Sequence, residues 1–235
     1  MLTAEELAIV WLSAKVALLS VAISAPFGIA VAHALARADF PGKSLFDAIV
    51  HLPLVLPPVV VGYALLMLFG AQGPLGQWLN DSLGISVAFR WTGAALACAV
   101  MSFPLMVRAM RLSMEAIDPK LETAAQTLGA GRWGVLFTVT LPLALPGILT
   151  GMLLGFARSL GEFGATITFV SNIPGETQTL PLAIYALWQT PGGEAAAQRL
   201  CVLSVLLSLA ALMVSEWMVR SARNTVSGND AGRRA

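Results

Sequence analysis

An all-α polytopic membrane protein with about five transmembrane helices is the fold class that three observations predict. The 235 residues are 57% hydrophobic and only 11% charged, whereas soluble domains carry roughly a quarter charged residues. Apolar runs recur at about 7–35, 48–70, 91–107, 141–157 and 200–219, most close to the roughly 20 residues that a helix needs to cross a bilayer. The charges gather mostly in the connections between these runs. Together they describe a single membrane domain over residues 1–219 and a polar, disordered tail over 220–235.

The first run follows MLTAEEL, in which Glu5 and Glu6 stand where a cleavable signal peptide would carry basic residues, so it is expected to remain as a span. Lys15 lies near its start and can extend its head to the interface. His33, Arg37, Asp39 and Lys43 form a polar loop, with His33 and His51 read as loop and membrane-boundary residues. The loop contains Pro41-Gly42-Lys43-Ser44, but Arg37 occupies the place where a phosphate-binding loop needs its first glycine. The second run carries Pro53, Pro57 and Pro58. Each proline removes a backbone donor, and carbonyls freed in hydrocarbon need protein or water partners. This span is therefore expected to face protein or a cavity, or else to be a simple kinked packing helix.

Residues 71–90 read as a loop, with Trp78 and Trp91 as interfacial anchors. The third run, to about 107, carries Pro104 near its end, and the fourth passes Pro142 and Pro146. Gly147, Gly151 and Gly155 recur every fourth residue and predict a face for close helix packing. Arg158 and Glu162 follow at i, i+4 spacing, as a pathway pair or a structural ion pair at a helix end. Residues 171–175 and 191–193 read as loops. Between them, LPLAIYALWQ is too short to span and is expected to be interfacial or re-entrant. Cys98 and Cys201 read as buried, inert thiols, and neither histidine has metal-ligand neighbours in sequence.

Orientation follows from the basic residues. Arg37 and Lys43, then Arg108, Arg111, Lys120 and Arg132, then Arg220, Arg223, Arg233 and Arg234 fall on one side. The other side carries only Arg90 and Arg199. The positive-inside rule places the N-terminus outside and the C-terminus in the cytoplasm.

One polar stretch, Asp118 to Pro142, is then cytoplasmic. Asp118 can cap a helix and Pro119 suits its first position. Leu121, Ala124, Ala125 and Leu128 form a narrow apolar stripe, Glu122 complements the helix dipole, and Gly129 can end the helix. A coupling helix is expected over about 118–129, its small-residue face open to another surface. An amphipathic connector lying on the membrane has the same pattern.

The stretch resembles the cytoplasmic motif of type I ABC importer permeases: Glu-Ala-Ala, three residues, Gly, nine residues, Ile, any residue, Leu-Pro. The matching positions are Thr123-Ala124-Ala125, Gly129, Val139 and Leu141-Pro142, with Thr123 in place of the Glu and Val139 in place of the Ile. HLPLVLPPVVVGYALL, GPLGQWLN and ARSLGEFGAT (157–166) look like the molybdate permeases and their sulfate relatives within that family. The five-span form is more similar to the molybdate branch.

The resemblance implies a permease subunit, not an enzyme, in a bacterial plasma (inner) membrane. It implies a homodimer, two cytoplasmic ATP-binding subunits that use the ATP, and a periplasmic or external oxyanion-binding protein. No cofactor and no metal are expected on this chain. Molybdate is the expected substrate, with tungstate, sulfate or thiosulfate as alternatives. ATPase coupling falls to Leu121, Glu122, Thr123, Ala124, Ala125, Leu128, Gly129, Leu141 and Pro142. The pathway falls to Pro57, Pro58, Arg158 and Glu162. A secondary anion transporter is a reading of another class, but internal repeats and coupling-ion carboxylates are not evident. A net charge of +1 gives no reason to expect nucleic-acid binding.

Overall fold

The computed structural model describes residues 3–231, with side chains described as far as residue 214. Helix α1, Ala4–Arg37, opens with a capping box: the Glu6 amide donates to Thr3 Oγ1 at 3.2 Å and the Thr3 amide donates to Glu6 Oε2 at 2.9 Å. Its buried face carries Ser13, Ala17, Ser20, Ser24 and Gly28, a seam of small residues that admits neighbouring helices. Pro26 lies inside the helix without ending it. Lys15 does not reach away to the interface alone; its Nζ sits 3.5 Å from the centroid of a Trp91 ring at the start of another helix. His33 and His51 lie on helices rather than in loops.

The second apolar run forms two helices, α2 (Lys43–Val55) and α3 (Pro58–Phe69), bent by 111°. Pro53 is tolerated within α2. The break comes at Leu56-Pro57, both extended, because a residue before proline is driven out of the helical region. Pro58 then opens α3 at a position where no amide is required. Gly42 adopts φ 85° before α2, so Pro41-Gly42 is a turn between helices and Lys43-Ser44 open α2.

Residues 71–90 are not all loop. Pro74–Leu83 forms α4, opened by Pro74 and closed by Gly84 at φ 65°. Proline at the start and left-handed glycine at the end are helix boundary signals. Helix α5, Trp91–Glu115, runs beyond the expected end at 107, so Arg108 and Arg111 sit on the helix. It is the centre of the fold, packing on α1 and on the later helix α8.

Helix α6, Pro119–Thr127, is short. It is followed by α7 (Arg132–Val135), a π-helical turn at Leu136–Thr140 and α8 (Leu141–Leu160). The stretch Arg132–Leu160 is one apolar rod of 29 residues. The π turn, in which the Leu141 amide donates to the Leu136 carbonyl, directly precedes Pro142, whose missing N–H interrupts the ordinary ladder. On α8, Gly147, Gly151 and Gly155 face α5. A β-carbon at Gly147 would overlap Ser113, one at Gly151 would lie 3.0 Å from the Met106 carbonyl oxygen, and one at Gly155 would lie 2.5 Å from Met106 Sδ.

Two short helices follow, α9 (Gly164–Val170) and α10 (Leu180–Trp188), the latter from the run judged too short to span. Leu180 and Leu182 are fully buried, and the Leu180 amide donates to Ser13 Oγ at 2.7 Å. Helix α11, Glu194–Ala231, continues through the region expected to be a disordered tail from Arg220. The expected tail has no glycine or proline before Gly228 to end a helix; its last residues, 232–235, lie outside the described residues. Cys201 is exposed on α11, not buried, because the Glu194–Val214 part of that helix presents most of its apolar surface outward. Cys98 is buried.

Among the described residues, four helices are long and apolar enough to cross a membrane: α1, α5, Arg132–Leu160 and Glu194–Val214 of α11. Counting the bent α2–α3 pair as one span makes five. No strand occurs among the described residues.

Candidate functional site

The residues singled out in the sequence fall into two places. At the first, Asp118 caps α6 by accepting from the Lys120 amide at 2.9 Å, a contact worth about 1 kcal/mol. None of α6 is buried. Leu121 and Leu128 are 50% and 88% exposed, and Thr123 and Ala124 are exposed beside them. A row of apolar side chains facing outward on and just after a nine-residue helix is a surface without a partner among the described residues. Thr123 turns its hydroxyl back to the Pro119 carbonyl at 3.1 Å. Gly129 adopts φ 91° and ends the helix region in a left-handed turn. Leu141 and Pro142 stand at the start of α8, just beyond the π turn.

Glu122 faces the other way. Its Oε1 accepts from Arg37 Nε at 3.0 Å and from Thr140 Oγ1 at 2.8 Å. Arg37 Nη2 also donates to the Ile117 carbonyl at 3.2 Å. A cleft of about 550 Å³ opens beside this node, lined by His33, Asp39, Gln126 and Arg132 among others. Sequence reasoning missed Arg37 and Thr140 as partners of Glu122. Their pairing spans 85 and 18 residues, and no local spacing encodes it.

The second place holds Arg158 and Glu162 and, through Gly164, reaches Pro58, which follows Pro57 in the chain. Helix α8 continues past the expected boundary at 157 to Leu160, so Arg158 lies in its last turn. Arg158 Nη1 approaches Glu162 Oε2 at 2.7 Å, the guanidinium partly exposed and the carboxylate buried. The contact is close but is not aligned as a hydrogen bond, since Oε2 has no directional donor. Glu162 Oε1 accepts from the Ala165 amide at 2.9 Å and so caps the first turn of α9. Pro58 is brought to the same place by glycines. A β-carbon at Gly164 would lie 2.7 Å from Pro58 Cβ, and one at Gly62 would lie 2.6 Å from the Ala165 carbonyl oxygen. The break in the second span and the turn after the fourth are therefore packed against each other. Beneath them Ser159 Oγ is 2.8 Å from Ser20 Oγ, and Cys98 Sγ–H donates to the Ser159 carbonyl at 3.6 Å. Gly62, Gly164, Ser20 and Ser159 were not singled out in the sequence, where small residues in spans are too common to mark a contact.

Comparison with known proteins agrees with this architecture. Residues 24–224 match the family described as binding-protein-dependent transport system inner membrane component. The molybdenum transport system permease protein ModB of Escherichia coli (strain K12) is 62% identical over 222 residues, covering 94% of this chain and 97% of that protein. The sulfate transport system permease protein CysT of the same strain is 40% identical over 200 residues, covering 82% of this chain and 72% of that one. Among solved structures, a bacterial ABC transporter involved in the import of the acidic polysaccharide alginate has a TM-score of 0.75 at 17% identity, over 94% of this chain and 80% of that chain. The earlier expectation of an importer permease agrees with these matches, and this chain belongs to the binding-protein-dependent transport system inner membrane component family.

Proposed function

We propose that this protein is the membrane-spanning permease subunit of an ATP-driven molybdate importer in the bacterial inner membrane. The carrying observation is the 62% identity to a molybdenum permease across nearly the full length of both chains. The sulfate permease is more distant, at 40%, so sulfate is the lesser reading. Two copies would enclose one pathway, with two ATP-hydrolysing subunits on the cytoplasmic side and an external binding protein delivering the oxyanion.

The outward row of α6 supports a docking role. Leu121, Ala124 and Leu128 are exposed on a capped helix that is tied through Glu122 to the foot of α8. Closure of the ATPase pair would displace α6 and reorient the spans from inward-facing to outward-facing. The anion would then enter from the binding protein, and hydrolysis would reset the pathway. Arg158, in the last turn of α8 just ahead of the turn whose Gly164 packs on Pro58, is the cation proposed to meet the anion. Its pairing with Glu162 keeps that interaction weak enough for release.

Two measurements test this. In proteoliposomes holding the complete complex, labelled molybdate is expected to accumulate only with ATP. Unlabelled tungstate should compete and an equal excess of sulfate should not; equal competition by sulfate would move the assignment to the sulfate branch. Ala124→Trp places a bulky ring on the exposed face of α6 and is expected to reduce co-purification of the ATPase at least about tenfold, a loss of the size that a blocked interface hot spot produces. Unchanged association would exclude α6 as the docking element.

A further inference from the structure

We propose that Glu122 is a positioning residue that locks the docking helix to the end of α1 and to the foot of α8, so that displacement of α6 is delivered to the spans. The proposal rests on the docking reading above and deepens it.

The need for a lock follows from how α6 is held. It is nine residues long with none buried, and a helix of that length is marginal by itself. On its far side it continues into Gly129 and Gly131, around which a β-carbon would meet nothing within 4 Å. Such a helix, which lies against α7 and the π turn without burying a residue, would swivel when pushed, and the motion would be lost in the linker. The Glu122 carboxylate supplies a lateral attachment. Its single oxygen Oε1 takes one hydrogen bond from Arg37 on α1 and one from Thr140 at the end of the π turn.

The surroundings make this attachment firm. Thr140 is fully buried, and the side chains of Arg37 and Glu122 are 19% and 15% exposed. Charge-assisted bonds in such partly dehydrated places are stronger than their surface counterparts. Arg37 is itself fixed by the Ile117 carbonyl, just before the Asp118 cap. The node therefore grips the start of the docking helix from α1 and its middle from α8. The attachment to α8 falls at a π turn, a geometry whose ladder is readily rearranged. Displacement of α6 would act first at the most deformable turn of the rod Arg132–Leu160.

The experiment uses the full complex in proteoliposomes with ATPase subunits, binding protein and labelled molybdate. The readout is molybdate taken up per ATP hydrolysed. Glu122→Gln keeps the shape of the side chain but removes its charge, and Thr140→Val keeps volume but removes the hydroxyl. With Glu122→Gln, ATPase association and ATP hydrolysis should stay within about twofold while uptake per ATP falls about tenfold, the effect of losing charge-assisted bonding. Thr140→Val should lower the ratio about threefold, as one hydrogen bond warrants. Exchanging the charges, Arg37→Glu with Glu122→Arg, should restore part of the coupling that each single change removes, which a loss of bulk packing would not do.

An unchanged ratio with Glu122→Gln overturns the proposal. So does release of the ATPase by that variant, which would make Glu122 part of the docking surface, and so does loss of folded complex in both Glu122→Gln and Thr140→Val, which would make the node structural only. The docking reading fails separately: Ala124→Trp then leaves the ATPase bound, while the coupling ratio of Glu122→Gln still reports on the lock.

Discussion

Glu162→Ala is expected to remove much of the folded permease from membranes, whereas Arg158→Lys, which keeps a counter-charge for the buried carboxylate, is expected to leave folded protein that transports poorly. The Glu162 side chain is buried and does two jobs at once. It neutralises Arg158 across 2.7 Å and it caps α9 through the Ala165 amide. Its removal leaves a guanidinium without a counter-charge and a helix amide without an acceptor. Breaking a buried pair costs about 3–5 kcal/mol, and partial exposure of Arg158 brings the expected loss to the lower end, about 3 kcal/mol. Native stability is only about 5–15 kcal/mol, so yield and thermal midpoint of the detergent-purified complex should both drop clearly. Glu162→Gln keeps an acceptor for Ala165 and should lose roughly half as much. Arg158→Lys keeps the cap intact and a positive charge beside Glu162, but loses the planar fork that can meet an oxyanion at two points. Uptake should then fall more than about tenfold at unchanged assembly if the guanidinium meets the anion in the pathway. Loss of folded complex with both variants would make the pair a structural tie and remove Arg158 from the pathway.

Gly62→Ala should be a strongly damaging single-methyl addition, because the new carbon would run into the backbone of another helix. The new carbon would lie 2.6 Å from the Ala165 carbonyl oxygen, 2.9 Å from Ala165 Cα and 2.9 Å from Thr168 Cβ. Two of these are backbone atoms of α9, which cannot rotate aside as a methionine tip can. Overpacking costs about 1–3 kcal/mol, and a backbone obstacle argues for the upper end. The contact also joins α3, just past the proline break, to α9, just past the Glu162 cap. Separation of those helices should therefore lower uptake as well as the thermal midpoint. Gly134→Ala is the control, because its β-carbon would meet only Ala130 Cβ at 3.7 Å, and it is expected to leave the midpoint unchanged or slightly raised. Equal midpoints for the two variants would show that α3 and α9 do not pack as closely as described.

Much of the fold was legible because a bilayer limits what a chain can do. Apolar runs must become helices with their backbone bonds satisfied inside the segment, so the five runs located α1, the α2–α3 pair, α5, α8 and α11. The motif around Thr123-Ala124-Ala125 located α6 because capping is local: Asp118, Pro119 and Gly129 act within one turn of themselves. Helix α4 was missed although Pro74 and Gly84 mark its ends; the Asn and Gly content of that stretch was weighted as loop over those two boundary signals.

The chain's composition and spacing alone determined that this is a multi-spanning helical protein with a short capped helix between its third and fourth runs, and the motif named the family. Only the tertiary structure decided which way each polar side chain turns. It took Glu122 from the outward row and set it on Arg37 and Thr140, and it split the proline-bearing span by 111° to place Pro58 against Gly164. The reason is range. Helix formation and capping depend on neighbours within about four residues, whereas these contacts join residues from 18 to more than 100 positions apart, and side-chain period alone carries no record of a distant partner.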